Sequence, residues 1–201
     1  MQNTEILVLD FEGFKHRNEH FIVKELSVFG PSYQDTILLK PPYDIGAVSP
    51  EARQTYFWTT KHVHGIDWNS GAHEYYLIYT FLMSLKLRFP KAIVYVRGQM
   101  KSSFLRSHSF QVVELESVGC PKITQFLHYP NRICFNHMHS DYFHDHCSKT
   151  KAYLFYIWLV NKINNENGNT YSQIANSPNA PVIEPLPTDE CSDATNGGGE
   201  P

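Results

Sequence analysis

The chain has 201 residues, 42% of them hydrophobic and 14% aromatic, and a formal net charge of −3. That composition supports one packed domain and carries no global basic signature for nucleic acid, so any such contact would need a local patch. Four cysteines with no leader-like segment before them do not read as a disulfide framework, and no apolar run approaches the roughly 18 residues of a membrane span; the expectation is an intracellular protein, cytoplasmic or nuclear, with no membrane partner.

In chain order, Glu5–Glu12 reads as a strand ended by Gly13, Phe21–Phe29 as a second closed by Gly30-Pro31, and Asp35–Lys40 as a third stopped by Pro41-Pro42. Two hairpin-like junctions between three strands predict an antiparallel meander. Residues 72–89 are predicted helical, with Tyr76, Leu77, Tyr79, Thr80, Leu82 and Met83 at helical spacing before Pro90. Ala92–Val96 is then a buried strand, Ser102–His108 a short helix, Gln111–Leu115 a last strand and Lys149–Ile163 the final helix. The order predicts an α/β domain over residues 1–163, with helices on a mixed sheet. From about Asn164 the composition turns to Asn, Ser, Pro, Gly and acids, which predicts a disordered tail over 164–201.

The first strand carries the sharpest chemistry. Strand residues two apart share a face, so Asp10 and Glu12 project together. Paired carboxylates of this kind hold Mg²⁺ in two-metal phosphoryl-transfer sites. Gly13 beside them would let a nucleotide backbone come close. The alternative is a strand end that exposes two acids by chance.

An apolar strand ending in Asp-x-Glu, a second strand with an internal Glu, and a histidine five residues before a position in the last helix together resemble the DEDDh 3′–5′ exonucleases. The segment Thr60-Lys-His-Val-His-Gly-Ile66 is similar to that family's substrate-side loop. The resemblance implies a ribonuclease-H-like fold over roughly residues 5–163. It also implies four acids holding two metals, with a histidine as general base. In the family a second Asp follows the fourth strand, and a His and a third Asp lie five residues apart at the last helix. Here Asp10, Glu12 and His146 match, but Lys101 in Arg97-Gly-Gln-Met-Lys-Ser-Ser-Phe-Leu105 and Lys151 in His146-Cys-Ser-Lys-Thr-Lys151 stand where the other two acids belong. Each lysine is expected to take a metal's place and pair with Asp10 or Glu12, leaving a relict site for which no Mg²⁺ is expected. The alternative is a displaced acid, such as Glu114 or Asp145.

Cys134-Phe-Asn-His137 has the spacing of a zinc half-site, and Cys147 follows ten residues later with His139, His144 and His146 between. Zinc takes four N, S or O ligands. A fourth is less obvious from the residues: Glu25 shares a strand face with Phe21, Val23 and Phe29, and a buried carboxylate needs a cation or a hydrogen bond. The alternative is a surface His-rich loop, with Glu25 paired to a lysine. Glu25, Cys134, His137 and Cys147 resemble the Glu-Cys-His-Cys zinc set of the Maelstrom domain, a DEDDh-type fold that lacks the exonuclease acids. That resemblance implies structural zinc and RNA-related work, including metal-independent ribonuclease activity. This chain departs from it by keeping Asp10, Glu12 and His146.

Cys120 reads as a buried structural cysteine or a substitute zinc ligand. Lys86, Arg88, Arg97, Lys101 and Arg106 read as a phosphate-contacting patch or an ordinary solvated surface. Three functions remain open at this point: a degenerate exonuclease-fold protein that binds nucleic acid, single-stranded RNA first; an active nuclease, metal-independent or using displaced acids; and a scaffold for protein partners.

Overall fold

The structure, a computed structural model, describes residues 5–15, 21–126 and 147–166. Its sheet has five strands: β1 (Ile6–Lys15), β2 (Phe21–Phe29), β3 (Gln34–Leu38), β4 (Ile93–Val96) and β5 (Val112–Glu114). Their spatial order is β3-β2-β1-β4-β5. The meander β1-β2-β3 is antiparallel, whereas β4 runs parallel to β1 and β5 parallel to β4. The chain is therefore α/β with a mixed open sheet, and β1 is its middle strand.

β1 is buried on both faces, which explains its unbroken apolar run. Leu7, Leu9 and Phe11 pack with Ile78, Leu82 and Leu85 of α2 (Leu77–Arg88) and Leu105 of α3 (Gln99–Ser107). Val8 packs with Leu154, Phe155 and Leu159 of α4 (Ser148–Glu166). The sheet thus lies between helices, and Asp10 and Glu12, in phase with Val8, point toward α4.

Strands β3, β4 and β5 differ from the expected ranges by one or two residues at their ends, and four other boundaries differ in ways that matter. Gly13 does not end β1. A bulge separates Glu12 from Gly13, and the strand continues to Lys15. A Cβ at Gly13 would lie 2.0 Å from the Ile22 carbonyl oxygen, so the backbone that approaches this glycine is the neighbouring strand, not a ligand. Residues 72–76 are not helical. Ala72 and His73 donate to the Leu38 carbonyl and His73 accepts from Lys40, extending the edge of β3 before α2 starts. α3 begins at Gln99, after Gly98 at φ 100°, and α4 runs to Glu166.

One helix was not anticipated at all. α1 (Pro50–Thr59) starts at Ser49, whose Oγ accepts from the Ala52 amide, with Pro50 at its first position and Glu51 in its first turn. It runs into one wide turn, Thr60–His64, closed by Gly65 at φ 70°. Its buried Ala52 and Tyr56 pack with Phe14, Val48 and Trp68 at the far end of β1. The tail assigned to 164–201 lies outside the described residues beyond Glu166, and no helix among the described residues is long and apolar enough to cross a membrane.

Candidate functional site

Asp10 and Glu12 lie on the α4 side of the sheet, and both are buried. Two lysines meet them there. Lys101 Nζ donates to Asp10 Oδ1 at 2.7 Å and lies 3.5 Å from Glu12 Oε1. Lys151 Nζ bonds Glu12 Oε1 and lies 3.2 Å from Asp10 Oδ2. Each ammonium therefore touches both carboxylates, and the four groups carry no net charge.

Helix geometry makes this corner strongly electropositive before the acids are counted. Lys101 is the third residue of α3 and Lys151 the fourth of α4. Cations are unfavourable near helix N-termini, where the peptide dipoles already present partial positive charge. Two carboxylates facing two helix starts reverse that penalty. Burial pushes the Glu12 carboxyl up, and the Lys151 and Lys101 ammoniums more than reverse this, holding it below the ordinary carboxylate value. Burial likewise pushes the Lys151 ammonium down, and Asp10 and Glu12 more than restore it, to above the ordinary lysine value.

A second layer of polar groups lies beside the first. In the β1–β2 register Asp10 faces Ser27 and Glu12 faces Glu25, so all four share one sheet face. Glu25 Oε2 accepts from the Ser148 backbone amide at 3.0 Å and from its hydroxyl at 2.7 Å. Ser27 Oγ bonds Ser148 Oγ at 2.7 Å and Thr36 Oγ1 at 2.9 Å. Glu25 thus receives the start of α4, as a carboxylate at a helix N-terminus should. Neither Ser27 nor Ser148 was singled out in the sequence. For Ser27 the signal was its place two residues after Glu25 on an otherwise apolar strand; Ser148, the first residue of α4, carried none.

A divalent cation does not fit between Asp10 and Glu12, because two ammonium groups fill the space where it would bind both acids. Zinc is a different case. The structure brings Glu25 and Cys147 to the same helix start, with Cys147 immediately before Ser148 and its sulfur 3.5 Å from the Thr150 amide that donates to it. Cys134, His137 and His146 lie outside the described residues. Among the described residues no cluster of three metal-binding side chains occurs. The thiol and the carboxylate are the two of the four expected zinc ligands that lie within the described residues, and the Glu25 carboxylate is held there by Ser148.

Glu114, Cys120 and Arg97 have other partners or surroundings. Glu114, considered as a displaced acid, lies on edge strand β5 and accepts from Ser102 Oγ at 2.9 Å and Arg106 Nη1 at 3.0 Å, which lowers its pKa. Asp145 lies outside the described residues. Cys120 is buried and its thiol is pushed up to about 11 by that burial. Arg97 donates to the Cys120 and Pro121 carbonyls.

Two buried groups escaped the sequence reading. Lys24 Nζ donates to the Trp68 and Ser70 carbonyls, both at 2.7 Å, and burial depresses its pKa to about 8. His64 Nδ1 accepts from the Ile66 amide, which leaves Nε2–H to donate to the Gly13 carbonyl at 3.1 Å, one residue beyond Glu12. Nothing in the local pattern distinguishes Lys24 from an exposed lysine. No protein-family model matches the chain, and comparison with curated proteins finds no match.

Proposed function

We propose that this chain is a degenerate DEDDh-type, ribonuclease-H-like exonuclease domain that binds nucleic acid, single-stranded RNA first, in an intracellular setting and with a structural zinc held by Glu25, Cys134, His137 and Cys147. The observation that carries this reading is the pair of lysines bridging Asp10 and Glu12. Metal-assisted phosphoryl transfer requires carboxylates free to coordinate the cation that stabilises the attacking and leaving oxygens. Here both acids are neutralised from within the protein. What remains to the domain is binding.

Charge distribution supports the choice of partner. Between Ala52 and Val113 eight Lys and Arg residues stand against two acids, Asp67 and Glu74. The chain totals are 17 and 20, so the rest has nine against eighteen. A chain of net charge −3 therefore contains a basic span that includes α2, α3 and α1 beyond its first-turn Glu51. Polyphosphate affinity from such a span falls steeply with salt.

The test is fluorescence anisotropy of a labelled single-stranded RNA with and without Mg²⁺, over a salt series. Binding that needs no Mg²⁺ and weakens with salt, without loss of full-length RNA in Mg²⁺ or Mn²⁺, is the expected result. Mg²⁺-dependent degradation abolished by Asp10→Ala would instead establish an active nuclease. Cleavage that survives EDTA would favour the metal-independent enzyme, and absence of both binding and cleavage the protein-interaction scaffold.

A further inference from the structure

We infer that the outward face of α1 and the wide turn after it form a stacking platform for the bases of a single-stranded nucleic acid. Ala52 and Tyr56 turn inward onto Phe14 and Trp68. On the other side Phe57 is 62% exposed and Trp58 58% exposed. Rings of this size normally bury most of their area, so two adjacent exposed ones mark a contact surface. Lys61 and His62, both exposed, follow one turn later. The Trp58 and His62 rings lie 5.2 Å apart at 37°, so the histidine flanks the indole.

Charge and side-chain type select the occupant. No acid occurs from Ala52 through Ile66, while Arg53, Lys61, His62 and His64 do. Each exposed ring therefore has a cation or a titratable base within one turn and no carboxylate on its own helical turn. The exposed apolar side chains on this face are flat and aromatic. By contrast, α2 exposes the aliphatic Met83 and Leu87 beside Tyr76 and Tyr79. Flat rings beside cations suit nucleobases and phosphates, since stacking tolerates any base and Lys61 supplies charge to the backbone. The face is also tied to the strand that carries the ion-pair site: Tyr56 packs on Phe14 at 4.9 Å and His64 bonds Gly13, the two residues after Glu12.

Such a platform rests on the nucleic-acid reading above, and the experiment separates the two. The full chain is titrated with a labelled twelve-nucleotide oligouridine at low salt, and its tryptophan emission is followed with poly(U). Trp68 is buried and Trp158 is partly buried on α4, so quenching should come largely from exposed Trp58. Trp58→Ala should weaken binding roughly 5- to 100-fold, the usual worth of one base–aromatic stack. It should also remove most of the quenching. Trp58→Phe should retain much of the affinity, and Lys61→Gln should flatten the salt dependence by about one phosphate contact. Circular dichroism and thermal melting of each variant should match the parent, since both side chains project from the surface. Oligouridine binding that is unchanged in the Phe57→Ala, Trp58→Ala double variant overturns the platform and leaves the nucleic-acid reading standing. Failure of the parent to bind at all overturns both. Self-association abolished by Trp58→Ala, with RNA affinity unchanged, makes the face a protein interface and also overturns the platform.

Discussion

Lys151 of α4 meets Glu12 of β1 across 139 positions of sequence, and the ammonium donates to the carboxylate. Neither is stable there alone. Glu12 is buried, and Lys151 sits at a helix start where its charge is unwelcome. Their contact is thus a mutual requirement, with Asp10 and Lys101 completing it.

Removing one partner should cost much more than the pair contributes. Lys151→Met is expected to destabilise the protein by about 3–5 kcal/mol, the usual penalty for leaving a buried charge unpaired. The double variant Lys151→Met, Glu12→Gln should recover much of that loss, because it removes the stranded carboxylate. Urea unfolding at neutral pH measures both. A Lys151→Met protein as stable as its parent would remove the ion pair from any account of the fold.

Charge reversal should reopen the site to metal. In Lys101→Asp, Lys151→Asp the four groups change from neutral to a formal −4. Mn²⁺ should then raise the melting temperature in a concentration-dependent way, as any ligand of the native state does. The parent should show no such shift from this site. Equal Mn²⁺ responses in the two proteins would count against it.

Acid should unfold the protein through Glu12. Its folded pKa is held below the ordinary 4.5, so the unfolded chain takes up the proton first as pH falls. The stabilisation is complete above that value and is lost as pH descends through the lower, folded one. Replacing Glu12 by Gln together with Lys151 by Met should flatten stability against pH below about 4.5, measured by denaturant midpoints.

On the alkaline side Lys24 should give a slope of the same sign, from a cation and not a carboxylate. Its folded pKa of about 8 lies below the ordinary 10.5. Between those values the unfolded state holds the proton more often, so stability rises with pH. Lys151, raised above 10.5, does not lose its charge in this window. From pH 8 to about 9.5, short of ordinary tyrosine ionisation, the parent should gain stability and Lys24→Met should not. The slopes decide the matter, because Lys24→Met also strands two carbonyls.

Zinc should copurify at about one equivalent and be lost in Cys134→Ala and Cys147→Ser, with a marked fall in melting temperature, since structural zinc supplies folding energy directly. Elemental analysis finding no zinc in protein of full stability would dismiss the site and leave Glu25 as a helix-capping carboxylate.

Much of the sheet was legible because its strands are punctuated by Gly and Pro and alternate in recognisable ways. Phe21–Phe29 matches β2 at both ends. The pairing of Lys101 and Lys151 with Asp10 and Glu12 followed from a family pattern in which those positions carry acids. α1 was also signalled, by Ser49-Pro50-Glu51, but its mixed aromatic and polar run has little helical periodicity to draw attention. Residues 72–76 were misassigned because their periodicity continues that of α2, while main-chain bonds tie Ala72 and His73 to Leu38 and Lys40 and a turn at Tyr75 and Tyr76 leads into the helix. Lys24 and His64 were invisible because their partners are carbonyls and an amide, which every sequence offers everywhere.

The span of the ion-pair site also bears on the order in which the protein assembles. In synthesis Asp10 and Glu12 come first, Lys101 follows 91 residues after Asp10, and Lys151, on α4, follows 139 after Glu12. Until α4 docks, the two carboxylates have one ammonium between them and must stay hydrated. Burying the α4 side of β1 beforehand would strand a charge, so premature collapse on that face is disfavoured. The lysine that closes the site thereby makes docking of α4 a condition for drying that face of the sheet, and ties cooperative folding to its arrival.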